Sequence, residues 1–334
     1  MLVYALAAIV VLLAAAITFT IGWRPFVGPA ARPLTDRRFE STPERMARGD
    51  YLVNGLVGCV GCHSERDWSN LDLPKPGMEG AGDDWSEEVF PTLVASNITP
   101  DRETGIGAWS DDALARAIRE GVNNEGRALF PIMPYPNFRN MSDEDLASVI
   151  VYIRSLAPNR RSLPETQLPF PLSRFVNLVP EPLTGPVPHP DLSTPEKRGR
   201  YLVTIGSCTD CHTPMDEQGQ FLPGMTFAGG APFKTPDGTI ASANITQDPS
   251  GIPYYTEDLF LRVMRTGNVG GREISPAMPW GYYRNMTDDD LRAMFAYVKT
   301  FAAVSHRVDN ARPPTPCPRC GQTHGAGDQN TAPN

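Results

Sequence analysis

The chain has 334 residues, 41% of them hydrophobic, enough for two domains of ordinary size with compact cores. Its formal net charge of −8 argues against nucleic acid as a partner and leaves open docking to a basic protein surface. Proline is abundant, at 34 residues, so long irregular segments are expected between helices.

From Met1 to Trp23 there is no charged side chain, and Leu2 to Ile21 is a nearly continuous apolar run. That is about the length that a bilayer core requires. A cleaved signal peptide would have a basic start, a shorter apolar core and a small-residue cleavage site. Here the start carries no Lys or Arg, and Ala14-Ala15-Ala16 lies inside the run. The reading is an uncleaved membrane anchor over 1–23 and a linker over 24–40. Arg24, Arg32, Arg37 and Arg38 follow the run. By charge bias they would hold that side in the cytoplasm. The cysteine motifs that come next require the opposite side and take precedence.

Cys59-Val60-Gly61-Cys62-His63 recurs as Cys208-Thr209-Asp210-Cys211-His212. C-x-x-C-H is the attachment signature of c-type haem. Two thiols two residues apart can each form a thioether to one haem vinyl group, and the following His then lies under the iron as proximal ligand. A zinc site would want four N/S ligands and another Cys pair nearby. A redox dithiol would not need the His. Two covalently bound haem c groups are therefore expected, on Cys59, Cys62, Cys208 and Cys211, with His63 and His212 on iron. In bacteria such attachment happens outside the cytoplasm. The expected location is the bacterial inner membrane, single-pass, with the soluble part in the periplasm.

The surroundings of the motifs repeat as well. Arg48-Gly49-Asp50-Tyr51-Leu52-Val53 matches Arg198-Gly199-Arg200-Tyr201-Leu202-Val203. Asn97-Ile98-Thr99 matches Asn244-Ile245-Thr246, and Arg139-Asn140-Met141-Ser142-Asp143 matches Arg284-Asn285-Met286-Thr287-Asp288. The offset drifts from 150 to 145, as small loop deletions would cause. Two copies of one unit are expected, over 41–157 and 193–304, not a many-unit solenoid. A Pro-rich strap over 158–192 should pack on both copies, and a polar tail over 305–334 should be poorly ordered.

Each copy has the same helix plan. Thr42-Pro43-Glu44 and Thr194-Pro195-Glu196 open a first helix that runs into the haem motif. A middle helix starts at Ser110 with Leu114, Ala117 and Ile118 inward; its twin starts at Thr256 with Leu259, Val263 and Met264 inward. Both end in glycine, Gly121 and Gly267. The last helix starts at Ser142, with Leu146, Val149, Ile150 and Ile153 as its core face. Its twin starts at Thr287, with Leu291, Met294, Phe295 and Val298. No strand run is comparable, so the fold class is all-α. The long loops 64–109 and 213–255 are expected to cover haem planes.

Met133 and Met278 are the candidate sixth ligands. Each lies between prolines, just before the last helix, where a stiff loop can hold a thioether at iron. Met141 and Met286 sit beside helix caps and are assigned to the helix starts. Tyr51 and Tyr201 are expected on the haem edges. Asn97 and Asn244 are expected to bond loop backbone or a propionate, and Arg127 and Arg272 to pair with propionates or lie at the surface. His189 and His306 are read as solvated. Cys317-Pro318-Arg319-Cys320 lacks a following His, and a disulfide suits the oxidising compartment.

With these motifs the chain resembles tandem class I c-type cytochromes. The segments R-G-x-Y-L-V…C-x-x-C-H, N-I-T-P-D, G-I-G-x-W-S, M-P-Y and F-R-N-M-S-D-E-D-L are similar to those of cytochrome subunits of membrane-bound periplasmic dehydrogenases for alcohols, aldehydes and sugar acids. The resemblance covers residues 40 to 303. It implies a one-electron carrier whose partners are a dehydrogenase, another cytochrome or a quinone-linked complex. Many such subunits carry three haem motifs and this chain has two, so a stand-alone dihaem relay is an equal expectation. The alternative is a dihaem enzyme, a peroxidase or a sulfur-compound oxidoreductase. A peroxidase needs an open iron and a distal acid–base His, and a sulfur-oxidising haem would want a Cys ligand; neither is seen.

Overall fold

The computed structural model describes residues 1–86 and 91–331, so parts of the 64–109 loop and of the tail lie outside the described residues. The first helix, α1 (Leu2–Phe19), has no buried residue and is long and apolar enough to cross a membrane. At a rise of about 1.5 Å per residue its 18 residues approach the thickness of a bilayer's hydrocarbon core. The segment after it is docked, not free. A short helix α2 (Arg24–Val27) is followed by Arg32, whose guanidinium pairs with Asp112 at 2.7 Å and Glu120 at 2.8 Å. Both carboxylates are buried. Arg32 is thus a structural counter-ion, which removes it from any topological charge count.

The first half contains α3 (Pro43–Tyr51), α4 (Cys59–Cys62), α5 (Asp111–Glu120), α6 (Tyr135–Phe138) and α7 (Asp143–Ile153). A connecting segment with the short α8 (Leu172–Phe175) leads to α9 (Pro195–Ile205), α10 (Cys208–His212), α11 (Glu257–Thr266), α12 (Trp280–Tyr283) and α13 (Asp288–Val298). The fold is mostly helical. Its strands form antiparallel two-stranded ribbons of short segments in the loops and the tail.

The expected caps form. Thr42, Ser110, Ser142, Thr194, Thr256 and Thr287 each accept a backbone N–H three residues on. Gly121 and Gly267 end α5 and α11 in the left-handed region. On α11 the buried face is Phe260, Val263 and Met264, with Leu259 only half-buried. The first helices do not run straight into the haem motifs. After α3 a π turn, Leu52–Leu56, is followed by left-handed Gly58, and after α9 left-handed Ser207 makes the same break. That reversal turns the cysteines away from the helix axis.

Within each half the first and last helices cross closely. A Cβ on Gly49 would collide with the Ser148 carbonyl of α7, and one on Gly199 with the Ala293 carbonyl of α13. This explains the glycine in both R-G-x-Y segments. The two halves share one continuous hydrophobic core, in which Leu52, Leu56, Leu146 and Ile150 join Ile205, Leu291 and Phe295.

The hydroxyls of the tyrosines expected on the haem edges stitch this interface. Tyr51 Oη donates to Asp290 at 2.5 Å and accepts from Thr287 N–H; Tyr201 Oη donates to Asp145 at 2.6 Å and accepts from Ser142 N–H. Each half therefore caps the last helix of the other. Arg48 and Arg198 hold the same two carboxylates from within their own halves.

The connecting segment is fastened to the first half. Asn159 and Arg161 bond residues of the 77–99 region, Leu183 N–H donates to Glu120, and Asp143 N–H donates to Val187. The tail departs most from expectation. It is folded, with an antiparallel pair Pro314–Pro316 and Thr323–Gly325 laid against the second half. His306, expected in solvent, is fully buried, and Cys317 and Cys320 are buried free thiols, not a disulfide.

Candidate functional site

Each C-x-x-C-H folds as one helical turn, and each histidine leaves that turn in the same way. His63 Nδ1 lies 2.7 Å from the Ser96 carbonyl, and His212 Nδ1 lies 2.9 Å from the Ala243 carbonyl. A carbonyl can only accept, so Nδ1 carries the proton and Nε2 is left with its lone pair. Burial lowers the pKa of both imidazoles, against the weaker pull of those carbonyls, which keeps the rings neutral as an iron ligand must be.

The two carbonyls are fixed by the next residue in sequence. Asn97 Oδ1 accepts from Thr99 N–H and hydroxyl at 2.9 and 2.7 Å, while its Nδ2 donates to the Asn159 carbonyl at 2.8 Å. Asn244 Oδ1 accepts from Thr246 N–H and hydroxyl at 2.9 and 2.8 Å, while its Nδ2 donates to the Val304 carbonyl at 2.8 Å. The N-I-T repeat is thus a clamp on the loop backbone, which orients the histidine one residue upstream. A second pair of anchors agrees: Gly82 N–H donates to the His63 carbonyl and Gly229 N–H to the His212 carbonyl, both at 2.8 Å.

The methionine loops are also matched. Leu129 N–H donates to Gly121 and Ile274 N–H to Gly267, closing each loop onto the end of α5 or α11. Tyr135 and Trp280, two residues past each methionine, pack so tightly on these glycines that a Cβ would enter the ring. Met133 and Met278 are partly buried against the shared core, which Cys59 and Cys208 also touch. Met141 and Met286 are fully buried core residues beside the Ser142 and Thr287 caps. Arg127 pairs with Glu125 and Glu165 at the surface, and Arg272 is exposed on a short strand.

The donor set fits haem c. The four motif cysteines are free, Cys62 and Cys211 exposed and Cys59 and Cys208 half-buried. Burial pushes the Cys59 and Cys208 thiols up to about 12. Buried polar atoms without a protein partner lie close by in sequence: Ser207 Oγ just before the second motif, and Trp280 Nε1 and Tyr282 Oη just after Met278. They are donors that propionates could use.

The sequence did not single out the aromatic pair between the motifs. A Cβ on Gly61 would stand 3.2 Å from the Tyr282 ring, so a residue of the second half lies on the motif of the first. Burial raises the Tyr283 pKa well above 10, and the Cys208, Cys211 and Cys62 thiols raise it further, so this ring neighbours both motifs. Asn137 of α6 donates to Asp210 of the second motif at 2.8 Å, the reciprocal contact. A pattern of aromatics one turn past M-P was the only available signal.

No family model matches the chain. A diheme cytochrome c-type protein of Cereibacter sphaeroides is 30% identical over 284 residues, covering 80% of this chain and 92% of that protein. The chain belongs to the dihaem c-type cytochromes. A nicotinate dehydrogenase subunit of Pseudomonas putida is 32% identical over 250 residues, 71% of this chain and 19% of that protein. The gluconate 2-dehydrogenase cytochrome c subunit of Pantoea cypripedii is 31% identical over 277 residues, 77% of this chain and 59% of that protein. The chain thus spans less than two thirds of these dehydrogenase subunits. For this dihaem cytochrome the peroxidase and sulfur-oxidation readings are not favoured.

Proposed function

We propose that this cytochrome is a membrane-anchored relay made of two tandem class I domains, 41–157 and 193–304, each with one haem c. Cys59 and Cys62 would attach one haem, with His63 and Met133 on its iron; Cys208 and Cys211 would attach the other, with His212 and Met278. When bound, haem c supplies a one-electron couple, and a thioether ligand raises its potential. The chain's own residues do the rest. Ser96 and Ala243 aim the imidazoles, the proline-flanked loops hold the thioethers, and the buried Tyr282 ring covers the first motif at Gly61. The observation that carries the reading is the Asn–Thr clamp behind each histidine, built twice with the same bonds.

The names of the relatives support a dehydrogenase as electron donor; the acceptor in this proposal is another cytochrome or a quinone-linked complex. The uncharged α1 supports anchoring in the inner membrane with the haem domains in the periplasm.

Met133→Ala and Met278→Ala, made singly, should each open one iron to carbon monoxide. Each should also remove about half of the weak long-wavelength absorption that iron–thioether bonding gives the ferric protein. Met141→Ala and Met286→Ala should do neither. Ready carbon monoxide binding by the unaltered protein would sink the closed-relay reading.

A further inference from the structure

The ordered tail brings together four side chains that the haem motifs do not use. His306, Cys317, Cys320 and His324 are each at most 4% exposed, and their donor atoms all lie within 4.8 Å of one another. His306 Nε2 is 3.3 Å from His324 Nε2 and 3.5 Å from Cys317 Sγ; Cys320 Sγ is 3.4 Å from His324 Nε2. A tetrahedral zinc with ordinary Zn–N and Zn–S bonds has edges of about 3.3 Å between nitrogens and about 3.6 Å between nitrogen and sulfur. The cluster has those edges.

The tautomers agree. His306 Nδ1 lies 2.8 Å from the Ala228 carbonyl and His324 Nδ1 lies 3.1 Å from the Gly325 carbonyl, so each ring carries its proton there. Both Nε2 lone pairs then face one another across 3.3 Å in a buried site. Without an electropositive centre between them this would be repulsive. Asn330 Nδ2 donates to Cys317 Sγ at 3.1 Å, the kind of bond a thiolate accepts. Gly230 backs the cluster with φ +97°, and a Cβ there would stand 2.8 Å from His306 Cε1. Two thiolates and one divalent ion are together neutral, as burial demands.

We propose that His306, Cys317, Cys320 and His324 form a structural zinc site that folds the tail onto the second half. The apolar cluster beneath the tail, Met225, Ala228, Val304 and the two cysteines, is small for so long a segment. A closed four-ligand metal site supplies the missing stability and also keeps the thiols from oxidation outside the cytoplasm. Two His and two Cys in a tetrahedron suit zinc among the common metals.

Full-length protein, purified without chelator or metal-affinity resin, should contain about one zinc per chain, with two nitrogens at about 2.0 Å and two sulfurs at about 2.3 Å by X-ray absorption. Cys317→Ser and His324→Ala should lose the zinc yet keep the haem spectrum, while His189→Ala keeps both. The direct measurement on the unaltered chain decides the matter even if a variant fails to fold. Zinc-free protein whose Cys317 and Cys320 are joined in a disulfide would overturn the proposal, as would iron in place of zinc beyond that of the haems.

Discussion

The two halves differ most after their last helices. In the first half the chain leaving α7 is held by Asn97, which reaches the Asn159 and Arg161 carbonyls, and Arg161 then donates to the Gly82 carbonyl. In the second half the chain leaving α13 is held by Asn244 at the Val304 and His306 carbonyls, and His306 then meets the Ala228 carbonyl. The clamp is the same; the residue at its far end is an arginine in one half and a buried histidine in the other. From there the first half continues into a strap and the second into the Cys–His knot. The repeat therefore carries the parts that orient each motif histidine, and the halves diverge where the segment beyond the clamp needs its own means of staying folded.

The comparison can be tested hardest at the helix crossings. Gly49→Ala and Gly199→Ala each place a methyl group against a backbone carbonyl that cannot move without shifting α7 or α13. Each should cost about 2–3 kcal/mol in chemical denaturation. Because the core is continuous, each variant should still unfold in one transition. Two separate transitions in either variant would mean that the halves fold independently.

The clamps should show a smaller and unequal effect. Asn97→Ala and Asn244→Ala each leave a Thr hydroxyl and N–H without their acceptor, worth about 1–2 kcal/mol. Both should alter the electron paramagnetic resonance of one haem, because the histidine's carbonyl partner loosens. Only Asn244→Ala should also make Cys317 and Cys320 reactive to an alkylating agent, since it alone releases His306. Equal thiol protection in both variants would break the proposed link between clamp and tail.

Local signals were legible in the sequence where one residue type has one physical use. Thr-Pro-Glu, Ser-x-x-Asp and terminal glycines gave the helix ends, and C-x-x-C-H pointed to the proposed haem attachment. The partners of long-range polar groups were not legible. Tyr51 and Tyr201 read as haem neighbours because they precede the motifs, but their hydroxyls lie more than two hundred and more than fifty residues from Asp290 and Asp145 respectively. His306 read as solvated because it follows the last helix in a polar stretch; its burial depends on Ala228 and on a ligand set spread over 18 residues. Arg32 read as one of four charges near a membrane, and only folding brings Asp112 and Glu120 to it.

The smallest expected effect is at the crossed tyrosines, where pH separates bonding from packing. Tyr201→Phe keeps the ring and removes one hydroxyl, so at neutral pH it should cost about 1 kcal/mol. The hydroxyl donates to Asp145, whose pKa lies below its ordinary 3.8: burial pushes it up, but Arg48 and then Tyr201 hold the carboxylate more strongly. A carboxyl lowered by folding contributes stability that is fully present above its unfolded value and is lost as pH falls through the folded one. In the variant the pKa of Asp145 moves back toward 3.8, so less is lost on acidification. The stability gap between the unaltered protein and Tyr201→Phe should therefore be constant above about pH 5 and narrow below about pH 4. Tyr51→Phe, which breaks the matching bond to Asp290, should show a gap of similar size at neutral pH. A Tyr201→Phe gap that stays constant down to the acid transition would show that the hydroxyl serves the Ser142 N–H and not the carboxylate.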